Sequence, residues 1–407
     1  MTAESTYGQA LRARRERRGI SLRQAARAWN IDPSYLSQIE RGLRPGPPGI
    51  ARAADEALDA HGALEALFAE AARPRLRQSI PRVVPVVAAV PLPWGQCGPA
   101  CRGCEVMTEL AALVESVRIS LAAGGTAATE AAEAAVETFA LDYSRHAPAH
   151  VFAAVAGYRT AIGGALERTQ RATVARSLED CAGWASLLLG NLAEHLGRDP
   201  RVHLTAAHSI ATGVGDARLA CHARNLQALH SRLAGDLRAS LAYATDGLEH
   251  APDRTERARL AAAGQLPTLA AMHDATGAAT ARGIAEADFT TDTPGRFGFD
   301  AAELHLYFAE AALALDRPDD ALGDAGNSAA GLDTSRPAWV AARLTGALAH
   351  AAAGRFDAAD EVAHGVLDIT PPERLRATSR ARLARLASAP ELGDIRDRVA
   401  ALPALAA

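Results

Sequence analysis

The sequence predicts an all-α protein in three parts. These are a five-helix head over residues 1–73, a proline-rich linker over 74–104 and a solenoid of helical hairpins over 105–407. Three observations carry that expectation. The 407-residue chain holds 97 alanines, and only 4% of it is aromatic. Alanine, leucine and arginine favour helices, whereas β-branched and aromatic residues favour strands. Pro74, Pro81, Pro85, Pro91, Pro93 and Pro99 interrupt any helical period between the two ends, as a semi-rigid linker requires. From Glu105 onward, alanine- and leucine-rich segments at helical spacing are broken at regular intervals.

Composition narrows the chemistry. All 43 basic residues are arginine. Without lysine there is no Schiff base and no Walker-type phosphate lysine. A chain that is 49% hydrophobic and 22% charged has a globular balance. No stretch reaches the roughly 18 unbroken apolar residues of a membrane helix. The run from Val83 to Trp94 is short and carries three prolines. The N-terminus is polar and then arginine-rich, unlike a signal peptide. Five cysteines, three of them clustered, do not make a secreted disulfide framework. The expectation is a soluble cytoplasmic protein.

Charge is divided unevenly. Residues 1–52 hold ten arginines against four acids, a net of +6. With −4 for the whole chain, the remainder carries −10. A basic head on an acidic body points the head towards a polyanion.

The head reads in order. Leu11 begins the face of a first helix whose polar side holds Arg12, Arg14, Arg15 and Arg18, and Gly19 ends it. Ser21 caps a short second helix carrying Ala25 and Ala26. Asn30 and Ile31 turn the chain. Asp32 serves as N-cap to a third helix with Pro33 at its first position. Leu36 and Ile39 face inward there; Ser34, Ser37, Gln38 and Arg41 face outward; Gly42 closes it. Two further helices are expected at Ile50–Ala60 and Ala63–Ala72. Ala26 permits a close helix crossing, so the second and third helices form a helix-turn-helix, whose last helix fits the major groove of DNA.

The strings "RARRERRGIS" and "SYLSQIERG", with the Ala25–Ala26 pair between them, resemble the Cro/lambda-repressor-type (XRE) DNA-binding domain over roughly residues 7–72. That resemblance implies binding to double-stranded DNA, and a homodimer is expected because one helix-turn-helix alone reads few bases and symmetric sites need two. The resemblance places Pro33, Ser34, Ser37 and Gln38 at the bases, with Gln38 suited to adenine. Arg14, Arg15, Arg18, Arg23, Arg41 and Arg44 are placed on phosphate. Leu22 stands where the family often has a phosphate-binding Gln, so Arg23 is the substitute. Glu40 is expected in a structural salt bridge.

Two stretches of the body align without gaps: GDLRASLAYATDGLEHAP (235–252) and GRFDAADEVAHGVLDITP (354–371). Each runs from Gly to Pro with small and apolar residues at helical spacing, and resembles the second half of a tetratricopeptide repeat. Weaker copies mark Gly197, Gly277 and Asp316, giving steps of 38, 42, 39 and 38 residues. Residues 105–196 are expected to hold further helical pairs. A solenoid presents a concave surface for a peptide, a small ligand or a protein partner. The inward candidates are Trp184, Asn191, His222, Asn225, Arg232, Glu303 and Glu310. The combined architecture is similar to the peptide-sensing Rap/Rgg/NprR/PlcR/PrgX group, and more so to repeat-bearing XRE regulators of actinobacteria. A scaffold with weak DNA affinity is the alternative.

Cys97, Cys101 and Cys104 form a C-x3-C-x2-C pattern. Three thiolates at that spacing suit an iron–sulfur cluster or zinc, which would make a metal- or redox-responsive regulator. The other reading is plain linker cysteines and no cofactor. The spacing also matches the cluster loop of radical S-adenosylmethionine enzymes, but no strands follow to build their barrel. No HExxH, G-x-S-x-G, P-loop or Rossmann glycine pattern occurs, so no enzyme is expected.

Overall fold

A computed structural model describes residues 7–29, 31, 33–42, 48–68, 102–169, 171–290 and 297–405. Among them all regular secondary structure is helical, with no strand, and no helix is long and apolar enough to cross a membrane. It divides into two compact units, Met1–Gly95 and Gln96–Ala407.

The first unit contains α1 (Tyr7–Arg17), α2 (Leu22–Ala28), α3 (Pro33–Glu40), α4 (Pro48–Ala57) and α5 (63–68). Its core is Leu11, Ala25, Ala26, Leu36, Ile39, Ala54 and Leu64, all essentially inaccessible to solvent. Gly19 (φ 65°) ends α1 in the left-handed conformation. Ser21 then starts α2 with a complete capping box: its Oγ accepts from Gln24 N (3.3 Å), and Gln24 Oε1 accepts from Ser21 N (2.8 Å). Gly8 sets the crossing of α1 over α3. A Cβ there would strike the carbonyl oxygens of Ile39 and Glu40. Gly8→Ala is therefore expected to lower head stability by about 1–3 kcal/mol, read as earlier loss of amide protection in α1 and α3 on urea titration.

The second unit contains α6 (Arg102–Ala123), α7 (Thr126–Asp142), α8 (Pro148–Leu166), α9 (Ala172–His195), α10 (Arg201–Val214), α11 (Ala217–Leu233) and α12 (Leu237–Glu249). Then come α13 (Arg254–Arg259), a π-helical turn (Leu260–Gln265) and α14 (Leu266–Ala271), in one continuous run. Next are α15 (Ala275–Asp288), α16 (Ala301–Ala314), α17 (Pro318–Ala329), α18 (Pro337–Ala352), α19 (Phe356–Ile369), α20 (Ala377–Ala387) and α21 (Gly393–Ala400). Helix α6 begins inside the predicted linker. Helices α6–α9 share one apolar core, so residues 105–196 do hold packed helices.

Beyond α9 the chain is a solenoid of antiparallel hairpins: α9/α10, α11/α12, α13–α14/α15, α16/α17 and α18/α19. Each hairpin turns on a residue of positive φ: Gly197 (70°), Gly235 (83°), His273 (57°), Asp316 (57°) and Gly354 (73°). This corrects one marker. Gly277 lies within α15, where its amide donates to the N-cap Asp274 (2.9 Å), and His273 makes the turn. The true steps are 38, 38, 43 and 38 residues. The longer step carries the extended connection between α15 and α16. The π turn has a local cause. Pro267, with no N–H to donate, sits just after it, and Gly264 within it lets α12 approach at Ala244.

The inner helices do not form an open arc. Helix α9 packs on α11, α11 on the π turn, α14 on α16, α16 on α18 and α18 on α20, and α20 returns to α9. The solenoid closes into a ring.

Candidate nucleic-acid interface

The third helix of the head divides its residues sharply. Leu36 and Ile39 are fully buried against Ala25 and Ala26, which hold α2 and α3 close enough for a fixed crossing. Ser34 is exposed, and Pro33, Ser37 and Gln38 are half-buried. These four occupy the N-terminal two turns of α3, the part that a recognition helix presents to base edges. Arg41 follows, exposed, with Nε donating to Ser37 O (3.2 Å). Arg23 is exposed on α2, while Leu22 beside it turns partly into the core. That placement explains why an apolar residue is tolerated where a polar contact was expected. Arg44 lies outside the described residues, as do Asn30 and Asp32.

Arg15 is corrected. It is not on the polar face of α1 but buried, with 6% of its surface exposed. Its Nε and Nη2 donate to the two carboxylate oxygens of Glu40 (2.6 and 2.8 Å), and Nη1 donates to Ile20 O (2.8 Å). Such a fork-to-fork pair satisfies both ions in the core and fixes the end of α3 to α1. Glu40 thus makes the structural bridge expected of it. Arg18 is exposed but paired with Asp59 in the α4–α5 turn. Arg14 is half-buried beside Asp55, whose carboxylate it helps to hold ionised.

Asp55 is the structural residue that sequence reasoning missed. It is 6% exposed and accepts from the backbone N–H groups of Gly62 (2.6 Å), Leu64 (2.6 Å) and Glu65 (3.1 Å). Burial pushes its pKa up, but these three donors outweigh burial and hold the carboxyl below its ordinary value.

In the second unit, the predicted groove residues are not on an open concave surface. Trp184 and His222 meet edge to face (5.3 Å between centroids), and Phe297, from the α15–α16 connection, packs on both (4.3 and 6.0 Å). Arg218 and Arg259 donate to Phe297 O (2.7 and 3.2 Å) and fasten it there. Burial, then the adjacent Arg259 guanidinium, lowers the His222 pKa to about 3, so its ring is neutral. Asn191 and Asn225 are buried, and Asn225 Oδ1 has no hydrogen-bond partner. Glu303 sits half-buried in the first turn of α16. Arg232 Nη2 donates to Glu310 Oε2 (3.1 Å), and Arg382 of α20 pairs with the same carboxylate. Phe297 and Arg382 carried no local sequence signal, because Trp184 and Glu310 lie 113 and 72 residues away, and Arg259, though paired with Glu256 three residues before it, reaches His222 37 residues away.

Among the described residues no group of His, Cys, Asp or Glu is arranged to hold a metal. Cys97 and Cys101 lie outside those residues, and Cys104 falls in α6. Cys181 and Cys221 are buried free thiols, each pushed up to about 12 by burial.

A family model described as a helix-turn-helix domain matches residues 6–68, the stretch of the first unit that carries α1–α5. No curated protein matches the chain. The chain therefore carries an N-terminal helix-turn-helix DNA-binding domain.

Proposed function

We propose that this chain is a sequence-specific transcriptional regulator of the XRE type. In this reading its tetratricopeptide-like body senses a peptide, a small ligand or a protein partner. The observation that carries it is α3: Leu36 and Ile39 are locked into the core while Ser34, Ser37 and Gln38 stand on the outer side. A helix so held presents short polar side chains to a groove at little entropic cost. The +6 charge of residues 1–52 supplies the sequence-independent attraction to phosphate. The turn residues at steps of 38, 38, 43 and 38 support the repeat assignment. Two heads on one symmetric site would give a homodimer enough bases to read. The −10 charge of the body argues against its wrapping DNA.

Selection from random duplexes tests the reading. An enriched motif is expected. On that motif, Gln38→Ala should cost about 1–3 kcal/mol and relax preference at one position. Arg23→Ala should weaken binding to all sequences alike and reduce the salt slope by about 1. If no motif is enriched and affinity is equal on all duplexes, the scaffold reading stands instead.

A further inference from the structure

The ring has joints of two kinds. Along the solenoid, buried apolar clusters run across successive hairpins: Leu187 of α9 packs with Leu204 and Leu219, and Ala258 and Leu266 pack with Phe299 and Phe308. The return of α20 to α9 is different. The core of α6–α9 stops on one side of it and the core of α18–α21 on the other, with no buried cluster in common among the described residues. Polar contacts hold this joint. Arg374 Nη2 donates to Ser144 O (3.1 Å) and to Ser335 O (2.8 Å). Arg376 Nη1 donates to His195 Nε2 (3.0 Å), and its guanidinium lies 4.8 Å from the centre of the Tyr143 ring. Beside these, Leu405 and Ala377 rest on Gly197. A second tie spans the inner side, where Glu310 of α16 is gripped by Arg232 of α11 and Arg382 of α20.

We propose that this joint is a releasable clasp. The repeat domain opens from ring to arc by parting α20 from α9, and at no other joint. Exposing apolar area to water costs free energy over the whole area, whereas hydrogen bonds from a guanidinium to carbonyl oxygens and a ring nitrogen are exchanged for bonds to water when the joint parts. Polar interfaces within a chain are also the ones along which parts move. The clasp determines whether the inner side of the ring is reachable from outside. It stands whether or not the head reads a specific sequence.

Double electron–electron resonance on the full chain tests the clasp. Spin labels are carried on unnatural amino acids at the exposed Leu141 and Glu391, one on each side of the joint. A control pair at Val202 and Arg238 spans the apolar α9–α11 joint. At about 0.1 M salt the wild type should give one short 141–391 distance. Arg374→Ala/Arg376→Ala should lengthen it by at least one helix width, about 10 Å, with the control pair unchanged. The milder Arg374→Gln/Arg376→Gln, which keeps the side-chain length but loses the cationic donors, should populate the same long distance in part, which keeps the test independent of how the alanine variant folds. A single unchanged 141–391 distance in both cases overturns the proposal. So does a control pair that broadens together with it, since the ring would then have no preferred point of opening.

Discussion

Arg15→Ala is expected to destabilise the head by about 3–5 kcal/mol, because it leaves the Glu40 carboxylate buried without a counter-ion. Small domains are stable by only about 5–15 kcal/mol, and this one has few core residues, so the loss takes a large share of the total. Amide exchange in α1 and α3 should rise to near-unfolded rates while α9–α12 stay protected. DNA binding should fail with the fold. Glu40→Ala should do the same, and an apolar pair, Arg15→Met with Glu40→Leu, should recover most of the stability. If Arg15→Ala instead leaves α1 and α3 protected and only weakens DNA affinity, the side chain serves phosphate after all and the core assignment is wrong.

Asp55→Ala is expected to cost about 2–3 kcal/mol, at or above the upper end for an N-cap, since three backbone donors lose a buried charged acceptor. The same residue gives the head an acid limit. Its carboxyl is held below the ordinary value in the folded chain. The stabilisation is therefore complete above the ordinary carboxylate pKa, and is lost as pH falls through that value towards the lower folded one. Urea midpoints of the head should drop between roughly pH 4 and pH 2 in the wild type and drop less steeply in Asp55→Asn over that range, where Asp59 and Glu16 still lose their arginine partners. An equal slope in both would place the acid sensitivity elsewhere.

Much of the head was legible in the sequence because its signals are short-range. Ser21 and Gln24 make a capping box three residues apart, and Gly19 and Gly42 mark helix ends. Arg15 shows the limit. Tyr7, Leu11 and Arg15 recur every four residues and all are buried, so the spacing placed Arg15 on the inner face. The residue type argued for the surface, and the deciding partner was 25 residues away. His273 shows another limit. A glycine search finds turns by residue type, yet a histidine and an aspartate hold the same positive φ where the hairpin demands it. The closing of the ring left no trace at all in periodicity. Its contacts join residues 181 and 230 positions apart, and arginine to a backbone carbonyl carries no complementary residue to look for.

The return of α20 to α9 has a consequence for how such a protein can change over generations. An open repeat array lengthens or shortens by whole units, because each unit touches only its neighbours and the ends are free. Here one inserted or deleted hairpin would carry Arg374 and Arg376 away from Ser144 and His195. The number of hairpins is thereby fixed by geometry. Duplication, the usual way such arrays diversify, is closed to this one unless the circle is first broken, leaving substitution within units of constant number.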